Sequence, residues 1–77
     1  MKPETIQEAR KQLGILLKNR RTKLGMSHME AHRLTGLSRT QLIKIEHGSW
    51  NYTVDSLIRL CHALNLDQIK ITGAFIK

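Results

Sequence analysis

The chain has 77 residues, of which 40% are hydrophobic and 25% are charged. This length allows one domain with one small core, and the composition is typical of a soluble globular protein and not of a disordered one. No apolar run exceeds three residues and the first residues lack an apolar stretch, so we expect neither a membrane span nor a signal peptide. A single cysteine excludes a disulfide framework and a multi-cysteine zinc site. We therefore expect a single cytoplasmic domain.

Positive charge is in excess, with 13 Lys and Arg against 6 Asp and Glu and a formal net charge of +7. Residues 1–27 hold seven of the basic side chains and two of the acidic ones. An excess of this size on a small domain favours a polyanionic partner, most often nucleic acid. A basic solvated surface is the plainer alternative.

The first predicted helix covers about residues 3–24. Pro3 suits a first helical position, and Gly25 is typical of a helix end. Gly14, inside this helix, costs about 1 kcal/mol relative to Ala and therefore predicts a close backbone contact. Apolar residues recur every three or four positions and predict one buried face, made of Ile6, Ala9, Leu13, Leu16, Leu17 and Leu24.

Two shorter helices are predicted next, each from a cap at its start. Ser27 is an N-cap with Glu30 three residues later, the pattern of a capping box, and this helix ends at about Thr35. Ser38 and Gln41 repeat the pattern at the start of a helix over about 38–47. The apolar residues of this third helix that we expect to face inward are Leu42 and Ile45.

A fourth helix and a strand complete the predicted elements. Thr53 caps the fourth helix, whose apolar residues are Val54, Leu57, Ile58, Leu60, Cys61 and Leu64. Polar and apolar residues then alternate over residues 68–72, with the period of a strand. We therefore predict an all-α fold, a bundle of four helices over residues 1–66, followed by a short β-strand within residues 67–77 of the same domain.

Gly36, Leu37 and Ser38 separate the second and third helices, which is the spacing of a helix-turn-helix. The glycine permits the left-handed backbone of a sharp turn, and the leucine is expected to fill the angle between the helices. In such a motif the second helix presents one face to the major groove of DNA.

The region from about residue 13 to residue 66 resembles the helix-turn-helix domain of the Xre/Cro family, which includes the lambda repressor. The resemblance rests on the order and spacing of Leu13-Gly14, Arg21, Leu24-Gly25-Met26-Ser27, Thr35-Gly36-Leu37-Ser38-Arg39-Thr40, Ile45-Glu46-His47-Gly48, Leu57, Leu60 and Ala63-Leu64. It implies a lambda-repressor-like bundle that binds duplex DNA and regulates transcription, most often as a repressor. It also implies an ion pair between Arg21 and Glu46.

Two positions depart from the family pattern. The family's alanine in the middle of the second helix is His32 here, which would crowd the helix crossing unless the helix rotates or the ring reaches the surface. The family's glutamine at the start of that helix, which resembles a phosphate clamp, is His28 here. An imidazole N–H can also donate to a phosphate oxygen.

The resemblance places the exposed face of the third helix against base edges. Arg and Lys can bond guanine, Gln can bond adenine, and the Thr methyl can contact thymine, so the predicted base contacts are Arg39, Thr40, Gln41 and Lys44. Donors at the groove edges predict phosphate contacts from His28, Ser38, His47, Trp50, Asn51 and Tyr52, with Arg20 and Lys23 as weaker candidates. Trp50 and Tyr52 have the alternative of covering the core.

The sequence favours neither a metal site nor catalysis. His28 and His32 stand four residues apart, but Met29 occupies the position where a metalloprotease helix has glutamate, and no third ligand has motif spacing. Cys61 lies among apolar residues, as a buried structural thiol does. We expect no metal, no cofactor and no enzymatic activity.

The predicted strand resembles those of Hip-type antitoxins, which pair across a dimer axis. A lone strand has no partner in its own chain, so we predict a homodimer through Ile69, Ile71 and Phe75. Two recognition helices about 34 Å apart would then read a palindromic operator. The alternative is that residues 67–77 fold back onto the fourth helix or are simply frayed.

Three functions remain open at this point. The leading hypothesis is a sequence-specific repressor, located in the cytoplasm and in the nucleoid when bound to DNA. The alternative is an antitoxin that neutralises a toxin protein and regulates its own operon. A membrane-surface module is disfavoured, because the first helix uses its apolar face for the core.

Overall fold

The computed structural model of the chain describes residues 3–49 and 52–66. Within these residues it contains four helices: α1 (Pro3–Lys23), α2 (His28–Thr35), α3 (Arg39–His47) and α4 (Val54–Ala63). The helix bounds agree to within about one residue with those that caps and glycines predict. Every element in the described part of the chain is a helix, and the strand predicted over residues 68–72 lies outside it.

Local hydrogen bonds explain where the short helices begin. The full capping box forms at α3, where Gln41 N–H donates to Ser38 Oγ at 3.1 Å and Ser38 N–H donates to Gln41 Oε1 at 2.9 Å. At α2 only half of the predicted box forms: Ser27 Oγ accepts from Glu30 N–H, but the exposed Glu30 carboxylate returns no bond. Water solvates that carboxylate at the surface, so the second bond adds little there.

Gly14 marks the closest approach of α1 to α3. A Cβ atom built on this residue would lie 2.7 Å from the carbonyl oxygen of Ile45 and 2.8 Å from the carbonyl carbon of Glu46. Real Cβ atoms do not come that close to backbone atoms, because van der Waals repulsion rises steeply at such distances. The close backbone contact predicted from the sequence is therefore confirmed.

One hydrophobic core joins the four helices. α1 packs on α3, and α2 packs on both α3 and α4. Each helix and the α2–α3 turn contribute buried side chains, namely Leu17, Ala31, Leu37, Leu42, Ile45, Leu60 and Leu64. Partly buried side chains surround this cluster, namely Leu13, Leu16, Met26, Tyr52, Leu57 and Leu66.

The predicted apolar faces are buried only in part. Ile6 and Leu24, near the two ends of α1, are exposed, because the core lies against the middle of that helix. On α4, Val54 and Ile58 are 70% and 59% exposed, because they face away from the side that packs on the core. The sequence predicts a buried thiol at Cys61, but in the structure this residue is only half-buried. The partial burial raises the pKa of the thiol.

None of the described helices is long and apolar enough to cross a membrane. Within residues 3–49 and 52–66, His, Cys, Asp and Glu side chains form no group of three that could hold a metal ion.

Candidate nucleic-acid interface

The turn between α2 and α3 is held by bonds within a few residues. Gly36 has a φ of 78°, in the left-handed region, and Leu37 is buried between the helices, as the sequence predicts. Thr35 Oγ1 donates to the Ala31 carbonyl at 2.6 Å and accepts from Leu37 N–H at 3.1 Å. These bonds set the path of the chain from α2 into α3.

His32 does not crowd the crossing of α2 and α3. Ala31 fills the buried position beside it, and the half-buried His32 ring lies next to the turn, with Nδ1 2.7 Å from the Leu37 carbonyl oxygen. A carbonyl oxygen only accepts, so Nδ1 carries the hydrogen of this bond. The ring therefore adds a further bond across the turn.

The exposed face of α3 carries basic, hydroxyl and apolar side chains and no acid. At 3.6 residues per turn these positions fall within one arc of about 140°, while Leu42 and Ile45 on the opposite side fill the core. The one acid of α3, Glu46, is turned into the domain. The exposed face consists of Arg39, Thr40, Ile43, Lys44 and His47.

Ser38 and Gln41 at the start of α3 are engaged with each other. Gln41 Oε1 already accepts the Ser38 N–H, whereas no hydrogen bond within the described structure uses its amide N–H groups. A bidentate bond to adenine needs both the amide oxygen and the amide nitrogen. In this conformation the Gln41 amide N–H groups are free to donate and its oxygen is partly engaged, while the Ser38 hydroxyl hydrogen is still able to reach a phosphate.

A buried carboxylate joins three helices behind the exposed face. Arg21 of α1 donates to Glu46 of α3 through Nε at 2.6 Å and through Nη2 at 3.2 Å, and its Nη1 donates to the Met26 carbonyl at 2.7 Å. His28, the first residue of α2, places Nε2 2.9 Å from Glu46 Oε1. The Glu46 side chain is only 8% exposed. The ion pair implied by the resemblance is thus formed, and His28 extends it to α2.

The charge of this cluster follows from its hydrogen bonds. Burial by itself would raise the pKa of Glu46, but the hydrogen bonds from Arg21 and His28 and the positive charge of Arg21 outweigh it and hold that pKa below its ordinary value. Glu46 is therefore ionised at neutral pH. One nitrogen of His28, predicted as a phosphate contact, is already occupied by this carboxylate.

Two other predicted phosphate contacts have partners inside the domain. Arg20 Nε donates to the Leu64 carbonyl at 2.8 Å, so this residue ties α1 to the end of α4. Tyr52 packs against the core with its hydroxyl buried, and burial raises the pKa of that hydroxyl to about 12. Tyr52 had two predicted roles, a phosphate contact and a cover over the core, and its position fits the second.

The other predicted phosphate contacts and the predicted dimer residues are either exposed or outside the described residues. Lys23 and His47 are exposed. Trp50 and Asn51, and the predicted dimer residues Ile69, Ile71 and Phe75, lie outside the described residues.

Sequence reasoning missed several of the contacts that cross between helices. The bond from His28 to Glu46 spans 18 positions, and the bond at 3.3 Å from Arg59 Nη1 of α4 to the Thr35 carbonyl spans 24 positions. No local pattern indicates either contact. The hydroxyl bonds of Thr35 were detectable, because Ser and Thr often bond the backbone at helix ends.

A family model described as a helix-turn-helix domain matches residues 12–71 of the chain. The matched region contains the second half of α1, the complete α2–turn–α3 unit and α4. None of the curated proteins compared with the chain matches it.

Proposed function

Because the chain belongs to the helix-turn-helix domain family, a family of the lambda-repressor-like type, we propose that it is a sequence-specific regulator of transcription. It binds duplex DNA with α3 in the major groove and represses by occupying an operator. Its role is binding and not catalysis, and it acts in the cytoplasm, at the nucleoid.

The observation that carries this proposal is the exposed face of α3. Arg39, Thr40 and Lys44 lie on it, α3 places no acid on this face, and the inner side of the same helix is anchored in the core. Glu46, the acid that would repel phosphate, is buried and neutralised by Arg21. A rigid helix with a basic outer face suits the major groove, which is wide enough to admit an α-helix.

The direct test is selection of bound duplexes from a random pool, followed by binding measurements on the selected sequence at several salt concentrations. We expect one enriched sequence and an affinity that falls linearly with salt on a logarithmic plot, because each phosphate contact releases counterions. A folded protein that enriches no sequence would contradict a sequence-specific regulator.

We further propose that the protein acts as a homodimer on a palindromic operator, through Ile69, Ile71 and Phe75. One α3 face covers few base pairs, whereas two copies at a fixed spacing read successive turns of the duplex. The support for this interface is the alternating pattern of residues 68–72 and not a described contact.

The antitoxin alternative rests on the same residues 68–72. A repressor and an antitoxin share the DNA-binding face, so DNA binding does not separate them. Purification of the protein from its native cell does: a second protein that stays bound at a fixed ratio and is toxic by itself supports the antitoxin.

A further inference from the structure

The Glu46 carboxylate determines which nitrogen of His28 carries a hydrogen. Nε2 of His28 lies 2.9 Å from Glu46 Oε1, and Arg21 holds the same carboxylate from the other side at 2.6 Å. An ionised carboxylate only accepts hydrogen bonds, so Nε2 is the donor of this pair. A neutral His28 therefore has its hydrogen on Nε2, and its Nδ1 has a lone pair and no hydrogen.

Nδ1 is the ring nitrogen left for DNA. The His28 side chain is 28% exposed, and in the described part of the chain the ring makes no other hydrogen bond than the one to Glu46. A lone pair on Nδ1 repels a phosphate oxygen, which itself only accepts. Only the imidazolium form offers an N–H to Glu46 and a second N–H to a phosphate at the same time.

We propose that His28 binds a DNA phosphate as an imidazolium, so that each protein molecule takes up a proton when it binds DNA. This inference rests on the proposed function, because it assumes that the start of α2 meets the DNA backbone. It adds that the Glu46 carboxylate, inside the domain, determines the protonation state of His28, a DNA contact at the surface of the domain.

The charges around His28 fix the sign of the effect. Arg21 from α1 and the positive end of the α2 dipole oppose a cation on the ring, whereas Glu46 from α3 favours it. On α4, Arg59 bonds the Thr35 carbonyl, which lies at the other end of α2 from His28. A bound phosphate adds a second negative charge and stabilises the imidazolium.

DNA affinity must therefore rise as the pH falls through the range in which imidazoles titrate. Where the ring of the free protein is neutral, uptake of one proton lowers the affinity by up to about tenfold for each unit of rising pH.

The test measures the dissociation constant for a labelled duplex of mixed sequence from about pH 5.5 to about pH 8, the range of histidine titration, at constant salt. A mixed sequence suffices, because phosphate contacts supply non-specific binding. The proteins are the wild type, His28→Gln and, as a matched control, His62→Gln, which changes an exposed histidine of α4. Circular dichroism at each pH verifies that all three stay helical.

We expect wild type and His62→Gln to lose affinity along the same slope as the pH rises. We expect His28→Gln to show a smaller slope, because an amide N–H donates without taking up a proton. Equal slopes for wild type and His28→Gln would overturn the proposal, since other histidines would then cause the dependence. Strong wild-type binding without pH dependence would overturn it too, while leaving the proposed function intact. If the folded wild type binds no DNA at any pH, both fail.

A second measurement needs only the wild type and does not depend on how the variant folds. Calorimetric titration of the protein with the same duplex, at one pH near 7 in two buffers with different ionisation enthalpies, counts the protons exchanged. A net uptake supports the proposal, and zero uptake or a release overturns it.

Discussion

At the scale of single residues, the Glu46 side chain bonds both Arg21 and His28 inside the domain. Truncation in Glu46→Ala leaves the Arg21 guanidinium buried without its partner. We expect the free energy of unfolding to fall by about 3–5 kcal/mol, the usual cost of breaking a buried ion pair. Urea titration followed by circular dichroism measures this change.

The matched control is Glu30→Ala, because Glu30 is exposed and its side chain makes no hydrogen bond in the described structure. Removal of the Glu30 carboxylate should lower the free energy of unfolding by at most about 1 kcal/mol, the usual contribution of a charge at a helix start. A change under about 0.5 kcal/mol in Glu46→Ala would mean that the pair behaves as a surface pair.

Acid should remove the contribution of Glu46 to stability. Because the pKa of Glu46 is lower in the folded protein than in the unfolded chain, the unfolded state takes up its proton first as the pH falls. The stabilisation is complete above the unfolded value of about 4.3 and is lost as the pH drops through the lower folded value. We expect the difference in unfolding free energy between wild type and Glu46→Gln to shrink as the pH falls below about pH 4. A difference that stays constant down to about pH 2 would contradict the lowered pKa.

The exposed residue with the most specific expectation is Arg39. Its side chain is free of bonds within the described structure and projects from the first turn of α3. Arg39→Ala should cost about 1–3 kcal/mol on the selected operator and relax the preference at one base pair. An equal loss on all duplexes would assign Arg39 to a phosphate. Lys18→Ala, at an exposed position on α1 that is not a predicted DNA contact, is the comparison for loss of a positive charge alone.

At the scale of elements, the packing of α1 on α3 depends on the missing side chain of Gly14. In an isolated helix Gly14→Ala would gain about 1 kcal/mol of helix propensity. In this fold the added methyl meets the carbonyl groups of Ile45 and Glu46, so the two helices must separate. We expect a net loss of about 1–3 kcal/mol, as for other overpacked sites, measured by thermal and urea unfolding.

The matched control is Asn19→Ala, which raises helix propensity at an exposed position of α1 that does not contact α3. It should leave stability unchanged or raise it slightly. If Gly14→Ala also stabilised the protein, the close approach of α1 to α3 would be wrong.

At the scale of the whole molecule, the four described helices and their buried cluster, from Leu17 to Leu64, lie within residues 3–66. A chain that stops at Leu66 should therefore keep its helical content. If residues 67–77 form the dimer interface, this shorter chain sediments as a monomer and binds the palindromic operator more weakly than the full chain. A dimer with unchanged operator affinity would exclude the C-terminal segment as the interface.

The sequence by itself determined the four described helices and the turn. A cap such as Ser38 with Gln41, or the left-handed glycine at Gly36, acts through bonds within three or four residues, so the pattern of neighbouring residues is sufficient to predict it. The inward side of α3, with Leu42 and Ile45, follows from the helical period in the same way. The pairing of Arg21 with Glu46 came from family resemblance and not from spacing.

Only the tertiary structure decided which side chains lie in the core, which bond a neighbouring helix and which are exposed. His28 lies against Glu46 because α2 and α3 cross there, and Arg20 bonds the Leu64 carbonyl because α1 passes the end of α4. Val54 and Ile58 are exposed although their spacing is that of an apolar face. The helical period shows which residues share a face, but the neighbour that covers the face is set by the distances and angles between helices, and these depend on the packing of the whole core.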